Sequence, residues 1–473
     1  MEKKDIIVLG AGLTGLSCGY RLAAEKKSVL VLERNDYVGG LAASFRKDSY
    51  VFDIGPHRFH SNEEELIDFV KNELNIPLIE REKKTQLYFK NRYYEYPFKV
   101  EDLLKGLDLK TKIRSVFDFV NANIKKNLVN SEESFESYVK SRFGRTIYDI
   151  FFGPYTEKVW GIDPKFLDAE FAVQRIASKS LLDVVFKTFI QNTPFIKKYY
   201  HPHSPYKKTF YYPENGGIGT ISEKLEELIN ENGGNVINNV TLKNIDRYNN
   251  RWKIQCLIGN SEKEFLADQL VSTIPLNEII RLTAGENSTI YNLISDNIIY
   301  RSLVILFLVI NKPEYSENNW IYYCEDNYPF NRISENKTFS LSNAPEQKTS
   351  LNLEITCFDK DNIFSMDKDS IYDFCKNGII NIGVNENSID EYFVKMFSNA
   401  YCVFSKGYKK HLDTALKYIN EQDNILSCGR QGLFRYVNMD IAIKMGLKSA
   451  DYILNKCPKE DVLSIGMEKF YLG

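Results

Sequence analysis

The hydrophobic pattern near the N-terminus predicts a strand, a turn, a helix and a second strand. Ile6 to Leu9 is a short apolar run with β-branched residues, as in a buried parallel strand, and Ser28 to Leu32 is a second run of this kind. A helical stretch from Leu16 to about Glu25 separates them. Alternation of strand and helix is typical of α/β proteins with a parallel sheet.

Further along the chain the pattern changes twice. Apolar residues recur at three- and four-residue intervals between about 101 and 200, which predicts an inserted helical domain. Alternating and β-rich runs from Tyr300 to Cys357 predict an antiparallel sheet, followed by helical segments at Asp369–Ile380 and Ile389–Phe397. The predicted domains are a discontinuous nucleotide-binding domain of residues 1–95, 210–285 and 415–473, a helical domain of residues 100–205, and a sheet domain of residues 290–410.

The turn between the first strand and the first helix has a glycine fingerprint. Gly10, Gly12 and Gly15 are spaced as G-x-G-x-x-G, and Glu33 ends the second strand 21 positions after Gly12. In a dinucleotide site these glycines permit a tight turn, close approach of a pyrophosphate and close helix–strand packing. The helix N-terminus favours the anion, and Glu33 would accept hydrogen bonds from a ribose. We therefore expect a bound dinucleotide.

The residues after the second strand favour FAD over NAD or NADP. Glu33 suits a free ribose hydroxyl and disfavours a 2′-phosphate. Arg34, Gly39 and Gly40 then form a glycine-rich segment. This extension resembles the large FAD family of amine oxidases, phytoene desaturases and UDP-galactopyranose mutases.

Composition excludes several other functions. The formal charge of −2 provides no general attraction for nucleic acid or for an anionic membrane. Eight cysteines without a CxxC pair argue for reduced thiols, and neither they nor the five histidines form a metal motif. The longest apolar run, Leu303 to Ile310, is too short to span a membrane. The expected location is the cytoplasm.

Motifs along nearly the whole chain resemble those of the UDP-galactopyranose mutases. The segment Gly55 to Ser61 is similar to the histidine loop of that family. The other matching segments are Tyr94 to Lys99, Pro154 to Gly161, Trp320 to Tyr322, Pro329 to Arg332, Gly407-Tyr408 and Gly429 to Tyr436. The resemblance implies an α/β fold with a Rossmann-like FAD-binding domain, an inserted helical domain and an antiparallel sheet domain over the flavin.

The resemblance also implies roles for individual residues. The implied catalytic residues are Arg175, Arg332 and His57. The implied substrate-binding residues are Tyr96, Lys99, Tyr155, Trp160, Tyr322, Tyr408, Tyr436 and Asn438. The cofactor-binding residues are Gly10, Gly12, Leu13, Thr14, Gly15, Glu33, Arg34, Gly39, Gly40, Leu41, Gly55, Pro56, His57, Val240, Gly429, Arg430 and Met439.

The implied activity interconverts the pyranose and furanose forms of a nucleoside-diphosphate hexose without net redox change. Reduced FAD, primed by an external reductant such as NAD(P)H, would attack the anomeric carbon through N5 and expel the nucleoside diphosphate. Arg175 and Arg332 would hold the charge of the departing diphosphate, since a bidentate guanidinium suits phosphate oxygens. The implied partner is a nucleotide-sugar substrate, and the sequence leaves open whether the chain forms a homo-oligomer.

Three departures from the family pattern leave alternatives open. Lys99 stands where uridine-specific enzymes usually carry glutamine, so uridine, thymidine and guanosine diphosphates all stay open. Met439 replaces a glutamine common near the flavin pyrimidine, and Pro56 replaces a small residue of the histidine loop. The main alternative function is an FAD-dependent oxidase or desaturase of the amine oxidase or protoporphyrinogen oxidase type, which needs an apolar channel. A flavin-bearing scaffold without catalysis is the third.

Overall fold

One seven-stranded sheet, here called the Rossmann sheet, carries the predicted nucleotide-binding fingerprint. The computed structural model of the chain describes residues 1–96, 106–126, 134–175 and 209–467, with the backbone alone for 123–126 and 173–175. In spatial order the strands are Val240–Tyr248, Arg251–Ile258, Ser261–Ser272, Glu2–Leu9, Val29–Leu32 and Asn235–Ile237, and Ile425–Ser427 pairs with Ser261–Ser272. The central pairs are parallel, and the two pairs at the Val240–Tyr248 edge are antiparallel.

The first helix, Leu13–Ala24, packs between the Rossmann sheet and two other helices, Thr220–Glu231 and Met439–Ile453. Its buried face includes Leu16 and Leu22. The strand before it ends in four fully buried apolar residues, as expected for a parallel strand covered on both faces. The N- and C-terminal parts of the chain therefore meet around the glycine turn.

A second seven-stranded sheet, here called the cover sheet, faces the Rossmann sheet across a cleft. In spatial order its strands are Ile389–Cys402, Tyr300–Ile310, Thr349–Cys357, Arg332–Glu335, Trp320–Tyr323, Thr85–Phe89 and Arg92–Glu95. All its pairs are antiparallel except Trp320–Tyr323 with Thr85–Phe89, which is parallel. Two further antiparallel sheets have two strands each: Ser44–Lys47 with Tyr50–Asp53, and Leu78–Glu82 with Thr209–Pro213.

The described part of the predicted helical domain is helical. Its helices are Leu109–Lys126, Phe135–Phe143, Arg145–Ile147, Gly153–Trp160 and Ala169–Arg175, with a π-helical turn at Tyr148–Phe152. The remaining helices are Glu64–Asp68 with a π-turn at Phe69–Glu73, Leu276–Ala284, Thr289–Ser295, Lys368–Asn381, Tyr408–Asn420, Gly429–Gly432 and Lys459–Ser464. The predicted α/β fold with a covering sheet is confirmed.

One predicted element is wrong. Ile389–Phe397 was expected to be a helix, but the structure forms a fourteen-residue strand, Ile389–Cys402, at the edge of the cover sheet. Tyr392, Val394 and Met396 pack on one core, while Phe393 and Phe397 pack on the other. Because both faces of this strand carry apolar residues, the sequence lacks the alternation of apolar and polar residues that indicates a strand. The spacing of its apolar residues also matched a helix.

The structure also assigns one hairpin differently from the predicted domain boundary. Strands Thr85–Phe89 and Arg92–Glu95 pair with the cover sheet, although the sequence placed residues 1–95 in the nucleotide-binding domain. The parallel pairing that joins the hairpin to Trp320–Tyr323 connects positions more than 200 residues apart. Local sequence patterns carry no signal for such a pairing.

Candidate functional site

A cleft of about 770 Å³ lies between the two sheets, and most of the predicted site residues line it. The predicted residues found there are Gly10, Gly12, Leu13, Thr14, Glu33, Arg34, Gly39, Gly40, Leu41, Pro56, His57, Tyr96, Tyr155, Trp160, Val240, Tyr322, Arg332, Gly429, Arg430, Tyr436, Asn438 and Met439. Residues from the N-terminal turn, the cover sheet and the C-terminal helices thus face one space.

The glycine turn has the geometry of a phosphate site. Gly10 has a φ of +96°, and a Cβ there would lie 2.6 Å from Oγ1 of Thr273, so a side chain is excluded. A Cβ on Gly15 would lie 2.0 Å from the Gly10 carbonyl oxygen, which explains the close helix–strand packing. A Cβ on Gly12 would meet nothing within 4 Å. Gly12 therefore leaves open space at the N-terminus of the Leu13–Ala24 helix, where a pyrophosphate can reach backbone N–H groups.

Glu33 is positioned by three hydrogen bonds. Its Oε2 accepts from the Ala11 backbone N–H at 2.7 Å, and its Oε1 accepts from the Asn35 backbone N–H at 2.9 Å and side chain at 2.8 Å. A carboxylate has about four acceptor positions, so one is left for a ribose hydroxyl. Glu33 shares this end of the cleft with Arg34 and Val240.

His57 and Asn438 line the cleft, and each has a buried polar side-chain atom. Nδ1 of His57 and Nδ2 of Asn438 have no hydrogen-bond partner among the residues that the structure describes. Burial, followed by the charges of Arg332, Arg430 and Arg58, lowers the pKa of His57 to about 3. His57 is therefore neutral at physiological pH. Buried polar groups normally have partners, so these two fit a bound group such as the polar ring of a flavin.

Arg430 is fixed beside them by backbone carbonyls. It donates to Val437 O at 3.0 Å and to Ala400 O at 3.2 Å, and its guanidinium lies 4.2 Å from the Tyr436 ring centroid. These contacts leave its positive charge uncompensated by any carboxylate that the structure describes. Such a cation suits the negative end of a cofactor ring or a pyrophosphate.

Arg332 is the first residue of its strand in the cover sheet, and it forms a bidentate ion pair with Glu354. Nε donates to Oε1 at 2.7 Å, and a terminal nitrogen donates to Oε2 at 2.6 Å. The two residues are direct neighbours in the antiparallel register, and Glu354 is fully buried. Burial acts to lower the pKa of Arg332, but the carboxylate of Glu354 outweighs it and raises that pKa well above its usual value. Arg332 is thus a permanently charged, rigidly oriented group.

Aromatic residues surround Arg332. The rings of Tyr96 and Tyr322 are 5.0 Å apart, and those of Tyr401 and Tyr436 are stacked with centroids 6.1 Å apart. Arg332 lies 5.9 Å from the Tyr322 ring centroid. This combination of one cation and several phenols can bind a phosphate and orient hydroxyl groups.

Trp160 and Tyr155 approach the cleft from the helix Gly153–Trp160. Trp160 packs edge-on against Phe171 with centroids 4.5 Å apart, so it is both a packing anchor and a lining residue. Lys158 donates to backbone carbonyls of Tyr323 and Glu325, which ties this helix to the cover sheet.

One predicted substrate residue lies elsewhere. Tyr408 is buried in the core, where its ring stacks on Phe404 with centroids 4.8 Å apart and its hydroxyl donates to Glu170 at 3.2 Å. It does not line the cleft, and Tyr401, seven positions earlier, lines it instead. The strand Ile389–Cys402 ends at the cleft with Tyr401, and this strand was predicted as a helix, so the sequence did not indicate Tyr401.

The four remaining predicted residues are Lys99, Arg175, Gly15 and Gly55. Lys99 lies outside the described residues, and for Arg175 the structure describes the backbone alone, at the end of the helix Ala169–Arg175. Gly15 and Gly55 allow close packing next to residues of the site. A Cβ on Gly55 would lie 3.2 Å from the carboxylate of Glu354, so this glycine leaves room for the partner of Arg332.

The sequence analysis missed other residues that line or support the cleft. They are Arg58, Lys83, Trp320, Tyr401 and Glu354. Arg58 and Trp320 lie inside motifs that were recognised, so a charged or aromatic residue at these positions was visible but carried no assigned role. Glu354 is visible only through the strand register that places it beside Arg332.

Within the described ranges of the chain, no group of three or more His, Cys, Asp or Glu residues is arranged to hold a metal ion. No helix in those ranges has the length and hydrophobicity needed to cross a membrane.

Comparisons with known proteins agree with this geometry. The probable UDP-galactopyranose mutase of Klebsiella pneumoniae is 20% identical over 469 residues, which cover 98% of each chain. The dTDP-fucopyranose mutase of Escherichia coli is 21% identical and covers 95% of this chain and 98% of its own length. A crystal structure of reduced UDP-galactopyranose mutase superposes with a TM-score of 0.82 at 22% identity, covering 99% of this chain and 100% of that one. This similarity confirms the fold.

The family is shown by a sequence profile. The profile of flavin containing amine oxidoreductases matches residues 13–373, which is more than half of the chain. Its match begins at the phosphate turn and includes the strands that carry Arg332 and Glu354. The chain belongs to the flavin containing amine oxidoreductases, and the group for which its cleft is built is a flavin.

Proposed function

We propose that the protein is a flavin-dependent mutase that interconverts the pyranose and furanose forms of a nucleoside-diphosphate hexose. The observation that carries this proposal is the Arg332–Glu354 pair, which places an oriented guanidinium in the same cleft as the dinucleotide fingerprint. Two relatives that match over nearly their whole length are a probable UDP-galactopyranose mutase and a dTDP-fucopyranose mutase, which supports the same reading.

One set of residues would bind the cofactor and another set would bind the substrate. The glycine turn and Glu33 would hold the adenosine diphosphate part of FAD, and His57, Arg430 and Asn438 would contact its ring. The flavin, when bound in its reduced form, supplies the nucleophile for the anomeric carbon of the sugar.

Arg332 would hold the nucleoside diphosphate while it leaves and returns. A diphosphate gains negative charge as its bond to the sugar breaks, so a fixed cation stabilises the transition state more than the ground state. Glu354 keeps the guanidinium in one orientation without a rearrangement during the reaction. We propose that Arg175 is the second diphosphate residue and Lys99 a contact to the base.

The tyrosines of the cleft would bind the sugar and the phosphates. Tyr322 lies near Arg332 and pairs with Tyr96, while Tyr436 stacks on Tyr401, whose hydroxyl is 3.5 Å from Arg332. Phenol hydroxyls donate and accept, so they can follow a hexose as its ring opens and closes. His57 is neutral, so it adds no positive charge that would oppose the oxocarbenium-like sugar.

The rival function is oxidation of an amine, a porphyrinogen or a polyene. Such a substrate needs an apolar channel, whereas the described lining of this cleft includes Arg58, Lys83, Arg332 and Arg430. The three guanidinium groups among them stay protonated, and such charges are costly to bury beside an apolar ligand. The cleft therefore favours a phosphorylated, hydroxylated substrate.

The test is a panel of UDP-, dTDP- and GDP-hexoses incubated with enzyme that has been reduced with dithionite. We expect redox-neutral isomerisation of one of these nucleotide sugars, detected by chromatography. Arg332→Ala should lower the rate by roughly 10²–10³-fold, as for loss of one electrostatic contact in a transition state. Arg46→Ala is the matched control, because Arg46 forms an exposed ion pair with Glu223. Stoichiometric peroxide from an amine would instead identify an oxidase.

A further inference from the structure

Arg58 is a cation of the cleft wall that the proposed mechanism does not use. It follows His57 in the loop after the strand Tyr50–Asp53, and it lines the cleft. Its guanidinium carbon lies 4.8 Å from the ring centroid of Trp320. Burial lowers the pKa of Arg58, yet a guanidinium stays protonated in proteins. The loop therefore holds a permanent positive charge at the cleft.

The contact with Trp320 orients Arg58 without using its hydrogen-bond donors. The indole is 2% exposed and is also covered by Phe339, with centroids 6.4 Å apart, and by Lys83, so it is a fixed platform for the guanidinium. A guanidinium that lies over an aromatic face keeps the N–H groups at its edge for other partners. No hydrogen bond or ion pair joins Arg58 to another residue of the described ranges.

Arg332 lies close to Arg58 along the same strand surface. Trp320 and Tyr322 are two positions apart on the cleft face of the strand Trp320–Tyr323, so their side chains are roughly 7 Å apart. Arg58 lies over the first ring, and Arg332 lies 5.9 Å from the centroid of the second. The charge of Arg332 also lowers the pKa of Arg58, so the two cations are electrostatically coupled. They form one positive group.

This group carries more positive charge than its described protein neighbours neutralise. Glu354 binds Nε and one terminal nitrogen of Arg332, and the other terminal nitrogen has no hydrogen-bond partner in the described part of the chain. The groups that raise the pKa of Arg58 are phenols, those of Tyr322, Tyr96 and Tyr436, rather than a carboxylate. Two guanidinium groups and one carboxylate leave one excess positive charge, and like charges so close together disfavour one another unless an anion binds between them.

We propose that Arg58 is a further substrate-binding residue, which holds the diphosphate of the nucleotide sugar together with Arg332. The inference rests on the proposed mutase function and deepens it, because the resemblance assigned no role to Arg58. A diphosphate has several oxygens and more than one negative charge, so it can accept hydrogen bonds from two guanidinium groups at once. Trp320 orients one cation and Glu354 the other, so little side-chain ordering is needed when the ligand binds.

The first experiment measures the dissociation constant of inorganic pyrophosphate, which represents the diphosphate without base or sugar. Titration calorimetry uses oxidised holoenzyme with full flavin content, so that the glycine turn is already occupied. Arg58→Gln should weaken binding at least about 10-fold, since a hydrogen bond to a charged group contributes about 1.5–3 kcal/mol, which corresponds to about 10–150-fold. Arg58→Lys should be intermediate, because it keeps the charge but loses the planar donors. Arg46→Gln, at an exposed ion pair, should bind as wild type does.

A second measurement separates ligand binding from a purely structural role of the contact with Trp320. Removal of Arg58 loses that contact but also relieves the repulsion with Arg332. Arg58→Gln should therefore leave the Tm of the pyrophosphate-free holoenzyme close to that of wild type. It should reduce the rise in Tm that pyrophosphate causes. Arg332→Gln should lower the Tm even without pyrophosphate, since it leaves the buried Glu354 unpaired.

The outcomes separate this inference from the function on which it rests. Equal pyrophosphate affinity in wild type and Arg58→Gln, or no pyrophosphate binding to wild type, would overturn the inference. Weaker binding of the complete nucleotide sugar alone would place Arg58 at the sugar or the base, and a changed flavin spectrum alone would place it at the flavin. Either result would also overturn the inference while the mutase function stands. Failure of wild type to isomerise any nucleotide sugar would instead overturn the mutase function itself.

Discussion

Replacing Arg332 by Met, while Glu354 keeps its carboxylate, is expected to destabilise the protein. Glu354 is fully buried, and its two carboxylate oxygens accept hydrogen bonds from the guanidinium of Arg332 at 2.7 and 2.6 Å. Removal of one partner of a buried ion pair leaves an uncompensated charge and costs about 3–5 kcal/mol. Glu354→Leu should cost a similar amount for the same reason.

The double variant Arg332→Met with Glu354→Leu should be closer to wild type than either single variant. Replacing a buried ion pair with apolar residues of similar size is often neutral, so the coupling free energy should be at least about 3 kcal/mol. An unfolding entropy of about 2.1 cal/mol/K per residue gives about 1 °C of Tm per kcal/mol if the chain unfolds in one transition. The single variants should then melt about 3–5 °C below wild type.

The assay is thermal and denaturant unfolding of the four proteins at one fixed FAD concentration, because bound cofactor shifts the apparent stability. The matched control is the ion pair of Arg46 with Glu223, which has equally short contacts but is exposed, so its coupling should stay below about 1 kcal/mol. If the losses of unfolding free energy in the Arg332 and Glu354 variants simply add, with no more coupling than in the control pair, the claim that the two residues form a strongly coupled buried ion pair is refuted.

Four single substitutions test the phosphate turn, His57 and the core residue Tyr408. Gly12→Ala should fold normally but lose flavin, because its Cβ would enter open space at the phosphate turn, whereas Gly10→Ala should fail to fold; flavin absorbance per chain measures both. His57→Gln should reduce the loss of stability on acidification. Wild-type His57 takes up its proton near pH 3 when folded but near pH 6.5 when unfolded, so stability falls as pH drops through this range; unfolding free energies between pH 4 and 7 test this. Tyr408→Phe should leave KM unchanged and cost about 1 kcal/mol, through loss of its bond to Glu170.

The nucleotide-binding half of the fold was predictable because its constraints are local. Only glycine fits at Gly10 and Gly15, and the acid Glu33 has to end the adjacent strand. These requirements fix residue types at fixed spacing, so the fingerprint was visible in the sequence. Gly10, Gly12 and Glu33 line one cleft, and the space beside Gly12 is open.

The substrate half was less predictable because its contacts cross between strands. Arg332 was visible in a motif, but its partner Glu354 is 22 positions away and is identified only by the register of two antiparallel strands. Tyr401 was missed, since the strand that carries it is apolar on both faces and resembled a helix. Tyr408 occurred in a recognisable motif, yet its ring belongs to the core. Nothing in the sequence indicated that the side chain of Arg58, which lies in a loop, lines the cleft.

The most direct test of the account is the number of sugar molecules isomerised for each reducing equivalent supplied. Enzyme is reduced anaerobically with a limiting, measured amount of dithionite, and the furanose product is quantified by proton NMR. A redox-neutral mutase should give many turnovers per equivalent, with the flavin still reduced at the end and no oxidised sugar. One product molecule per equivalent, or turnover only in the presence of oxygen with release of peroxide, would contradict it.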